Sequence, residues 1–325
     1  MTNTDRGAVL VTGGAGYVGP PAVRALVESG RDVVVLDDFS TGHREHVRWG
    51  TLVEGDIADE ALVSGTIRNH GITAILHFAA KALVGESVRD PDLYDRWNRG
   101  KTTTLAAVAA REGVRAIVFS STCAVYGEPD VVPIDEDESK KPINPYGQSK
   151  VDCEAALFAT GIPVAALRYF NAAGAEPEHG IGERHDPETH LIPLALRALR
   201  TGDPITILGT DYPTPDGTCV RDYIHVSDLA AAHVLALARL ERGEGGGAWN
   251  LGTGTGSSVR EILDAAGRVA GRPVPTVEGA RRDGDPPVLV ARPDRARRDL
   301  GWTCVHSDIE RIVADAVAYE RGLPA

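Results

Sequence analysis

An apolar run that is followed at once by regularly spaced glycines constrains this chain more than any other feature of its sequence. Residues 8–11 read Ala-Val-Leu-Val, and Gly13, Gly16 and Gly19 follow at three-residue spacing. The run predicts a buried parallel strand, and the glycines predict a tight turn that a ligand can approach closely. Because a helix that begins after such a turn offers unpaired N–H groups to an anion, the turn can seat a pyrophosphate. A strand-to-helix turn without a ligand would show the same pattern.

An acidic residue at the end of the next strand indicates which kind of ligand the glycine turn binds. Residues 22–27 have helical spacing, Gly30 ends that helix, and residues 33–36 form a second apolar run that leads into Asp37. In a Rossmann unit an acid placed about 20 residues past the glycines hydrogen-bonds the adenine ribose. Since a carboxylate would repel a 2′-phosphate, the order of these elements predicts NAD rather than NADP.

The alternation of strand and helix patterns continues along the first half of the chain. Short apolar runs at residues 52–57, 74–78, 116–119 and 164–169 predict four further strands. Such alternation predicts a parallel sheet with right-handed crossovers and helices on both faces. The predicted fold class is therefore α/β, with a doubly wound (Rossmann) sheet.

The composition changes after Asn171, where longer loops replace the regular strand and helix pairs. We interpret the remainder as a smaller α/β lobe that binds the substrate. The predicted boundaries place the NAD-binding domain at residues 1–171, with 222–242 returning to it, and the smaller lobe at 172–221 and 243–325.

Composition and charge exclude several classes of partner. The 325 residues are 42% hydrophobic and 25% charged, which is ordinary for a globular protein. A net charge of −12 argues against nucleic acid or an anionic membrane as the main partner. Cys123, Cys153, Cys219 and Cys304 follow no metal or redox spacing, so we expect reduced thiols and no metal site. Since the sequence has neither a signal-peptide pattern nor an apolar run of membrane-spanning length, we expect a cytoplasmic protein.

Tyr146 and Lys150 form the most specific chemical signal in the sequence. Residues four apart on a helix share a face, so the phenol and the ammonium group would point the same way. A free tyrosine has a pKa near ~10, and a nearby cation stabilises its phenolate, which makes it a better base. Ser120, Ser121 and Thr122 end an earlier strand and place hydroxyl groups at the edge where doubly wound folds bind ligands. Together these features favour catalysis over a surface pair.

Several motifs in the same order resemble the extended short-chain dehydrogenase/reductase family. They are TGGAGYVG at 12–19, Ser121-Thr122, and Tyr146-x-x-x-Lys150. Longer segments are similar to the nucleotide-sugar 4-epimerases of that family over nearly the whole chain: HFAA at 77–80, VGESV at 84–88, VYG at 125–127, RYFN at 168–171, DYPT at 211–214, VRDYIHV at 220–226 and DGDP at 283–286. The resemblance implies reversible epimerisation of UDP-glucose and UDP-galactose through a transient 4-keto sugar, with NAD bound throughout.

The resemblance also implies a role for each catalytic residue. Tyr146 would take the proton from the sugar 4-hydroxyl, Lys150 would lower the pKa of Tyr146 and hold the nicotinamide ribose, and Thr122 would bridge the 4-oxygen and the tyrosine. The predicted cofactor-binding residues are Gly13, Gly16, Tyr17, Val18, Asp37, Asp38, Phe39, Ser40, Asp56, Ile57, Phe78, Ala79, Ala80, Lys81, Asn98, Ser120, Tyr146, Lys150 and Tyr169.

A UDP-sugar substrate has its own predicted contacts. By resemblance, Arg221 and Arg282 would bind the diphosphate, which suits the fork of an arginine, and Asp285 would bind the uridine ribose. Leu289 stands where some members have a bulky tyrosine, so its smaller side chain predicts room for N-acetylated UDP-hexosamines. The predicted substrate-binding residues are Thr122, Asn171, His190, Leu191, Arg221, Arg282, Asp285 and Leu289.

Other functions remain open at this point. Related 4,6-dehydratases need an acid and a base directly after the catalytic threonine, and Cys123 and Ala124 can serve as neither, so dehydration is disfavoured. The chain could instead epimerise another nucleotide sugar, such as UDP-glucuronate, UDP-xylose or UDP-GlcNAc. A catalytically silent NAD-binding protein is the third alternative.

Comparison with the family pattern identifies two departures in this sequence, and the resemblance also implies an oligomeric state. Pro20 and Pro21 stand where members have serine and histidine, which predicts a distorted start of the first helix. Lys101 replaces a packing glycine, so we expect the helix beside the active strand to sit differently. The resemblance implies a homodimer built from the helices around residues 101–110 and 151–158.

Overall fold

The computed structural model describes residues 7–282 and 284–322, so Asp283 of the 283–286 motif lies outside the described residues. The strands, in chain order, are β1 (Ala8–Thr12), β2 (Val33–Asp37), β3 (Thr51–Glu54), β4 (Ile72–His77), β5 (Ala116–Thr122), β6 (Val164–Tyr169), β7 (Asn171–Ala173), β8 (Ile205–Leu208), β9 (Val220–Arg221), β10 (Tyr223–His225), β11 (Gly247–Leu251), β12 (Ser257–Ser258), β13 (Thr276–Gly279) and β14 (Val288–Leu289). The helices are α1 (Gly19–Glu28), α2 (Glu60–His70), α3 (Val84–Arg89), α4 (Pro91–Tyr94), α5 (Lys101–Arg111), α6 (Pro145–Phe158), α7 (Leu191–Thr201), α8 (Val226–Glu241), α9 (Val259–Ala270), α10 (Asp294–Leu300) and α11 (Ile309–Gly322). A π-helical segment at Asp95–Gly100 joins α4 to α5, and short 3-10 turns lie at Arg44–His46, Cys123–Val125 and Pro177–His179. Within the described ranges, no helix has both the length and the apolar composition needed to cross a bilayer.

Seven of these strands form one parallel sheet. Its order is β11-β6-β5-β4-β1-β2-β3, and each neighbouring pair is parallel. The chain therefore starts near the middle of the sheet and builds outward to both edges, which confirms the doubly wound fold. The carboxyl ends of all seven strands point to the same edge, where ligands bind in such sheets.

Apolar side chains at alternate positions of the sheet form two cores, one on each face. Val9 and Val11 of β1 belong to the same buried cluster as Leu26 of α1 and Leu229 of α8. Leu10 lies in a second cluster, together with residues of α2, α5 and α6. Because successive side chains of a strand point to opposite faces, the unbroken apolar run of β1 reflects two covered faces.

Three small sheets and their helices lie beyond the main sheet. β7 pairs with β10, β8 pairs with β13, and β9 pairs on its two sides with β12 and β14. A third core joins α7, α9 and α11 and buries Leu196, Ile262 and Val313. Most of these elements fall within the predicted smaller α/β lobe, whereas β10 lies in the segment 222–242 that is predicted to return to the NAD-binding domain. The domain limits remain a prediction.

One strand of the main sheet, β11, lies within residues 243–325, which are predicted to belong to the smaller lobe. β11 pairs in parallel with β6, and its Trp249 and Leu251 are buried in a core of the main sheet. This strand joins the main sheet because β6 is buried along its length, and the backbone groups on its outer edge need a partner. The sequence of β11 gives little warning, since it begins with a glycine and contains the polar Asn250.

The start of α1 is regular in spite of Pro20 and Pro21. The helix begins at Gly19, and Val18 in the N-cap position already has helical dihedral angles. Both prolines therefore lie in the first turn, where N–H groups have no acceptor within the helix. The expectation of a distorted start is wrong, because the prolines remove no helical hydrogen bond there.

The second departure, Lys101, coincides with the π-helical segment that precedes α5. Its ammonium nitrogen lies 3.4 Å from the centre of the Trp97 ring, four residues earlier. The side chain is largely buried and extends over the Trp97 ring to Asp56, which follows β3. Residues Leu105 and Val108 of α5 remain fully buried in the core.

Candidate active site

Thr122, Tyr146 and Lys150 lie together at the carboxyl end of β5. Thr122 is the last residue of the strand, and its hydroxyl accepts a 3.2 Å hydrogen bond from the backbone two residues later. Tyr146 and Lys150 occupy the first turns of α6. The cap residue Asn144 accepts a 2.8 Å hydrogen bond from the N–H of Gly147. This cap fixes where the helix begins beside the strand, and so which face carries the phenol.

Lys150 is buried against the strand that carries Thr122. Only 3% of the lysine is exposed, and its ammonium nitrogen donates a 2.8 Å hydrogen bond to the backbone carbonyl of Ser120. The same nitrogen lies 4.8 Å from the centre of the Phe119 ring. Burial lowers the pKa of Lys150 to about 8. The site thus holds a cation that releases its proton more readily than an exposed lysine does.

Burial also controls the acidity of Tyr146. It raises the pKa of the phenol to about 12, and a hydrogen bond with Thr122 acts in the opposite direction. The ammonium nitrogen of Lys150 lies 6.0 Å from the centre of the Tyr146 ring. Burial therefore outweighs the opposing effect of Thr122. A lowering of this pKa by Lys150 stays a prediction.

A buried ion pair connects three elements around the catalytic residues, namely β5, β6 and α6. The carboxylate of Glu154 on α6 accepts 2.8 Å hydrogen bonds from two nitrogens of Arg168 on β6 and a 2.6 Å bond from the hydroxyl of Ser121 on β5. Lys140 donates a further bond of 2.8 Å. Although burial raises the pKa of Glu154, these donors lower it to about 2. The charged carboxylate thereby fixes α6 against β5 and β6.

The glycine turn after β1 has the shape of a pyrophosphate cradle. Gly13 has a φ of +72°, and a Cβ atom there would lie 2.5 Å from the backbone nitrogen of Ala79. A Cβ atom on Gly19 would lie 2.5 Å from the carbonyl oxygen of Gly13. The turn is closed so tightly that it presents backbone and the amino end of α1 at the sheet edge. These groups fit the pyrophosphate of a dinucleotide.

Asp37 is placed to fit the adenine ribose of that dinucleotide. Its two carboxylate oxygens accept 2.9 Å hydrogen bonds from the N–H groups of Ala15 and Phe39. Burial raises the pKa of this carboxyl, and the two backbone bonds act against that shift. Each oxygen keeps a second lone pair, so Asp37 can also accept hydroxyl groups of a ribose.

The other predicted cofactor residues follow the carboxyl ends of neighbouring strands. The Ser120 and Tyr169 hydroxyls hydrogen-bond each other, whereas Tyr17 in the glycine turn donates a 2.6 Å bond to the carbonyl of Gly174. By strand, they are Asp38, Phe39 and Ser40 after β2, Asp56 and Ile57 after β3, Phe78, Ala79, Ala80 and Lys81 after β4, Ser120 in β5 and Tyr169 in β6. Since these strands are parallel neighbours, the residues lie along one edge of the sheet.

Asn98 makes its hydrogen bonds within the protein. Its side-chain oxygen accepts a 2.8 Å bond from the backbone of Lys81, and its nitrogen donates 3.0 Å bonds to the Lys81 carbonyl and to the hydroxyl of Ser149. The amide therefore ties the segment after β4 to α6. A direct contact between Asn98 and the cofactor stays a prediction.

The predicted substrate residues of the smaller lobe meet one another. One guanidinium nitrogen of Arg221 lies 2.5 Å from Asp285, and one of Arg282 lies 2.9 Å from the other oxygen of the same carboxylate. Leu289 pairs with Arg221 across β14 and β9. Leu289 also packs against the buried cluster that contains Cys123, the residue after the catalytic threonine. The lobe thus brings these residues to the end of β5.

His190 lies in a cluster of ionisable groups that sequence reasoning missed. Asn171 begins β7 and Leu191 begins α7, and His190 directly precedes that helix. The cluster consists of Glu183, His185, Glu188 and His190, whose ligand atoms lie within 4.8 Å of one another. The signal for it is the spacing E-x-H-x-x-E-x-H at residues 183–190, which puts two imidazoles and two carboxylates on one short loop.

Known proteins share both the sequence and the fold. The profile of the NAD dependent epimerase/dehydratase family matches residues 9–252. The UDP-glucose 4-epimerase of Rhizobium meliloti (strain 1021) is 51% identical over 299 residues, which cover 90% of this chain and 91% of the relative. The structure of UDP-glucose 4-epimerase from Brucella ovis in complex with NAD is 48% identical, with a TM-score of 0.92 over 96% of this chain and 97% of that one. A UDP-glucose 4-epimerase from Stenotrophomonas maltophila with bound NAD and formylated UDP-arabinopyranose is 39% identical, with a TM-score of 0.93 over 97% and 98% of the two chains.

Proposed function

This chain belongs to the NAD dependent epimerase/dehydratase family, and we infer that it is an NAD-dependent UDP-glucose 4-epimerase, which interconverts UDP-glucose and UDP-galactose. The observation that carries this function is the meeting of Thr122, Tyr146 and Lys150 at the end of β5. The glycine turn and Asp37, at the same sheet edge, fit the cofactor that the chemistry needs.

The reaction divides between the cofactor and the side chains. Bound NAD would supply a hydride acceptor and donor for C4 of the sugar, and a positively charged ring beside Lys150. Tyr146 would take the proton of the 4-hydroxyl group and later give it back. Thr122 would hydrogen-bond the same oxygen and the phenol. Rotation of the 4-keto sugar in the pocket would present its opposite face to the cofactor site, which accounts for inversion at C4.

The arginines of the smaller lobe are suited to the diphosphate of the substrate. A guanidinium group offers a planar fork of donors that matches phosphate oxygens. Asp285 holds Arg221 and Arg282 in place through its two oxygens, which orders both forks before the substrate arrives. The same carboxylate can accept the hydroxyl groups of the uridine ribose.

The residues after Thr122 favour epimerisation over dehydration. Removal of water from the sugar requires an acid and a base near C5 and C6. Burial raises the pKa of the Cys123 thiol to about 12, and Ala124 has no titratable group. The oxidised sugar therefore meets no group in this turn that would eliminate water.

The small side chain of Leu289 supports a substrate range that extends beyond UDP-glucose and UDP-galactose. Its half-buried side chain stands beside Arg221 and the cluster that follows Thr122. A leucine fills less space than the tyrosine that some family members have at this position, so we expect N-acetylated UDP-hexosamines to be accepted as well.

A homodimer and a cytoplasmic location complete the proposal. The helices α5 and α6 pack against each other, and Phe158 at the end of α6 is 41% exposed. We expect a second copy of the chain to cover these helices, which sedimentation velocity would detect as a dimer. The four cysteines are free thiols, which fits a reducing compartment.

One assay separates the candidate functions. Purified protein is incubated with UDP-galactose without added NAD, and UDP-glucose is the expected product, because the cofactor stays bound. Conversion of UDP-glucuronate or UDP-xylose in place of UDP-galactose would assign another nucleotide sugar. Absence of any product, even with NAD supplied, would identify a catalytically silent protein.

A further inference from the structure

We propose that Glu183, His185, Glu188 and His190 form a binding site for a first-row divalent cation such as Zn2+, held on the loop that connects β7 to α7. This site goes beyond the epimerase activity, which requires no metal ion. The ligand atoms of the four side chains lie within 4.8 Å of one another, although the residues are spread over an eight-residue loop. The loop folds back so that all four groups converge.

The donor set is chemically suited to a transition metal. Two imidazoles and two carboxylates combine nitrogen and oxygen ligands, as in the zinc sites of several hydrolases. Imidazole favours zinc, copper, iron and nickel, whereas calcium and magnesium prefer oxygen ligands alone. The two histidines therefore distinguish this cluster from an acidic surface patch.

The distances are close to those of a coordination shell. His190 Nδ1 lies 2.9 Å from an oxygen of Glu183 and 2.8 Å from one of Glu188. His185 Nδ1 lies 3.4 Å and 3.7 Å from oxygens of the same two carboxylates. In a tetrahedral zinc site with bonds near 2.0–2.2 Å, ligand atoms are about 3.3 Å apart. Small rotations of the side chains would complete such a shell.

One nitrogen of the cluster lacks a good partner. Among the described residues, Nδ1 of His185 is buried and makes no hydrogen bond of normal geometry. A buried nitrogen in this situation loses the interaction it has with water. A cation between His185 and the carboxylates would satisfy it.

An ion can reach the cluster from solvent. The carboxylates of Glu183 and Glu188 are 9% and 15% exposed, and the imidazoles of His185 and His190 are 29% and 39% exposed. The two carboxylates are therefore shielded from water, while the two imidazoles are accessible to solvent. A metal site needs both a desolvated ligand set and an entry path.

The position of the loop shows what the ion would hold together. The ring of Tyr17, in the glycine turn, meets the ring of His185 edge-on at 6.2 Å. Arg184, in the same loop as the four proposed ligands, forms a 2.7 Å ion pair with Glu45. His190 directly precedes α7. A bound cation would fasten the cofactor turn, the loop and the start of α7 into one unit.

Titration calorimetry with Zn2+ tests the site on the untagged, full-length protein with its cofactor, after treatment with a chelator. We expect one Zn2+ ion to bind per chain. His185→Asn and Glu188→Gln should each weaken Zn2+ binding at least about 10-fold. His179→Asn, which changes a surface imidazole on the same long loop, should leave the affinity unchanged.

A spectroscopic probe keeps the result independent of folding defects. Co2+ bound by the wild-type protein should give the visible absorption of a four-coordinate site, and Zn2+ should displace it. The proposal is overturned if Zn2+ fails to bind, or if the variants and wild type bind it equally. Circular dichroism and epimerase assays on the same samples separate a failure of this site from a failure of the proposed activity.

Discussion

The ammonium nitrogen of Lys101 lies 2.7 Å from a carboxylate oxygen of Asp56, where the family pattern has a glycine in place of the lysine. The same nitrogen is 3.7 Å from Asp38 and stands over the ring of Trp97. Both carboxylates belong to the proposed adenosine side of the cofactor site. The lysine therefore balances two negative charges beside the proposed site of the dinucleotide, which is itself an anion.

Lys101→Met should weaken NAD binding. Without the ammonium group, Asp38 and Asp56 would repel the pyrophosphate, and since the groups are partly exposed we expect a loss of about 2- to 5-fold in affinity. The affinity for NAD can be measured by adding NAD to the cofactor-free protein and following fluorescence quenching at low and high salt. The loss of affinity should become smaller as the salt concentration rises. Lys141→Met, at an exposed lysine paired with Asp130, is the matched control. Equal NAD affinity in both variants would contradict the role of Lys101.

Tyr146→Phe should abolish epimerisation without unfolding the protein. The phenol is the proposed base, and removal of a general base slows a reaction by about 100- to 10,000-fold. The ring that packs edge-on against Tyr94 at 6.3 Å is retained, so stability should change little. Tyr319→Phe on α11 is the control and should remain active. Turnover by Tyr146→Phe near the wild-type rate would exclude this tyrosine as the base.

Glu154→Gln should destabilise the protein strongly. The substitution removes the charge that pairs with Arg168, which is 3% exposed, and leaves the guanidinium group buried without its partner. Breaking one side of such a pair costs about 3–5 kcal/mol of unfolding free energy. Urea unfolding would measure the loss, and Glu178→Gln, on the surface, should show none. A loss as small as that of the control would mean that the pair does not hold α6 in place.

Local patterns in the sequence were sufficient for most of the fold. The strands β1, β2, β4, β5 and β6 are apolar runs that periodicity identifies directly, and Tyr146 and Lys150 share a helix face as their spacing predicts. The comparisons confirm the family that the motifs implied, and the related epimerase from Brucella ovis is in complex with NAD.

Features that depend on distant contacts were not visible in the sequence. β11 joins the main sheet because β6 needs a neighbour, and no pattern within residues 247–251 records that need. The pKa of Tyr146 is set by burial, which arises from the packing of the whole site and not from the nearby lysine alone. The four clustered side chains of the loop at 183–190 come together only when the chain folds back on itself.

Leu289→Tyr should narrow the choice of sugar. A phenol ring beside Arg221 would occupy the space proposed for an N-acetyl group, whereas a hydroxyl group is much smaller. We expect kcat/KM for UDP-GlcNAc to fall at least about 10-fold relative to that for UDP-galactose, which is the range that a steric difference of this size supplies. Competition between the two substrates would measure the ratio, with Leu289→Met as the control. No turnover of UDP-GlcNAc by the active wild-type enzyme would refute the wider pocket.

Lys150→Met should remove activity and yet stabilise the fold. Burial shifts the pKa of this lysine from 10.5 to about 8, which corresponds to roughly 3 kcal/mol of unfolding free energy at ~1.4 kcal/mol per pH unit. Below about pH 8 the lysine is charged in both the folded and the unfolded chain, so the full destabilisation is present there. A methionine of similar length has no such charge, and we expect the variant to be about 1–3 kcal/mol more stable at neutral pH.

The pH dependence of that difference identifies its cause. Between about pH 8 and 10.5 the folded protein releases the proton of Lys150 while the unfolded chain keeps it, so the wild-type protein gains stability as pH rises. Methionine does not titrate, and the advantage of Lys150→Met should therefore shrink across this window. Urea unfolding of protein stripped of NAD, at several pH values, would follow this difference, with Lys141→Met as the exposed control. An advantage that stays constant with pH would show that packing of the methionine, and not the buried charge, produces it.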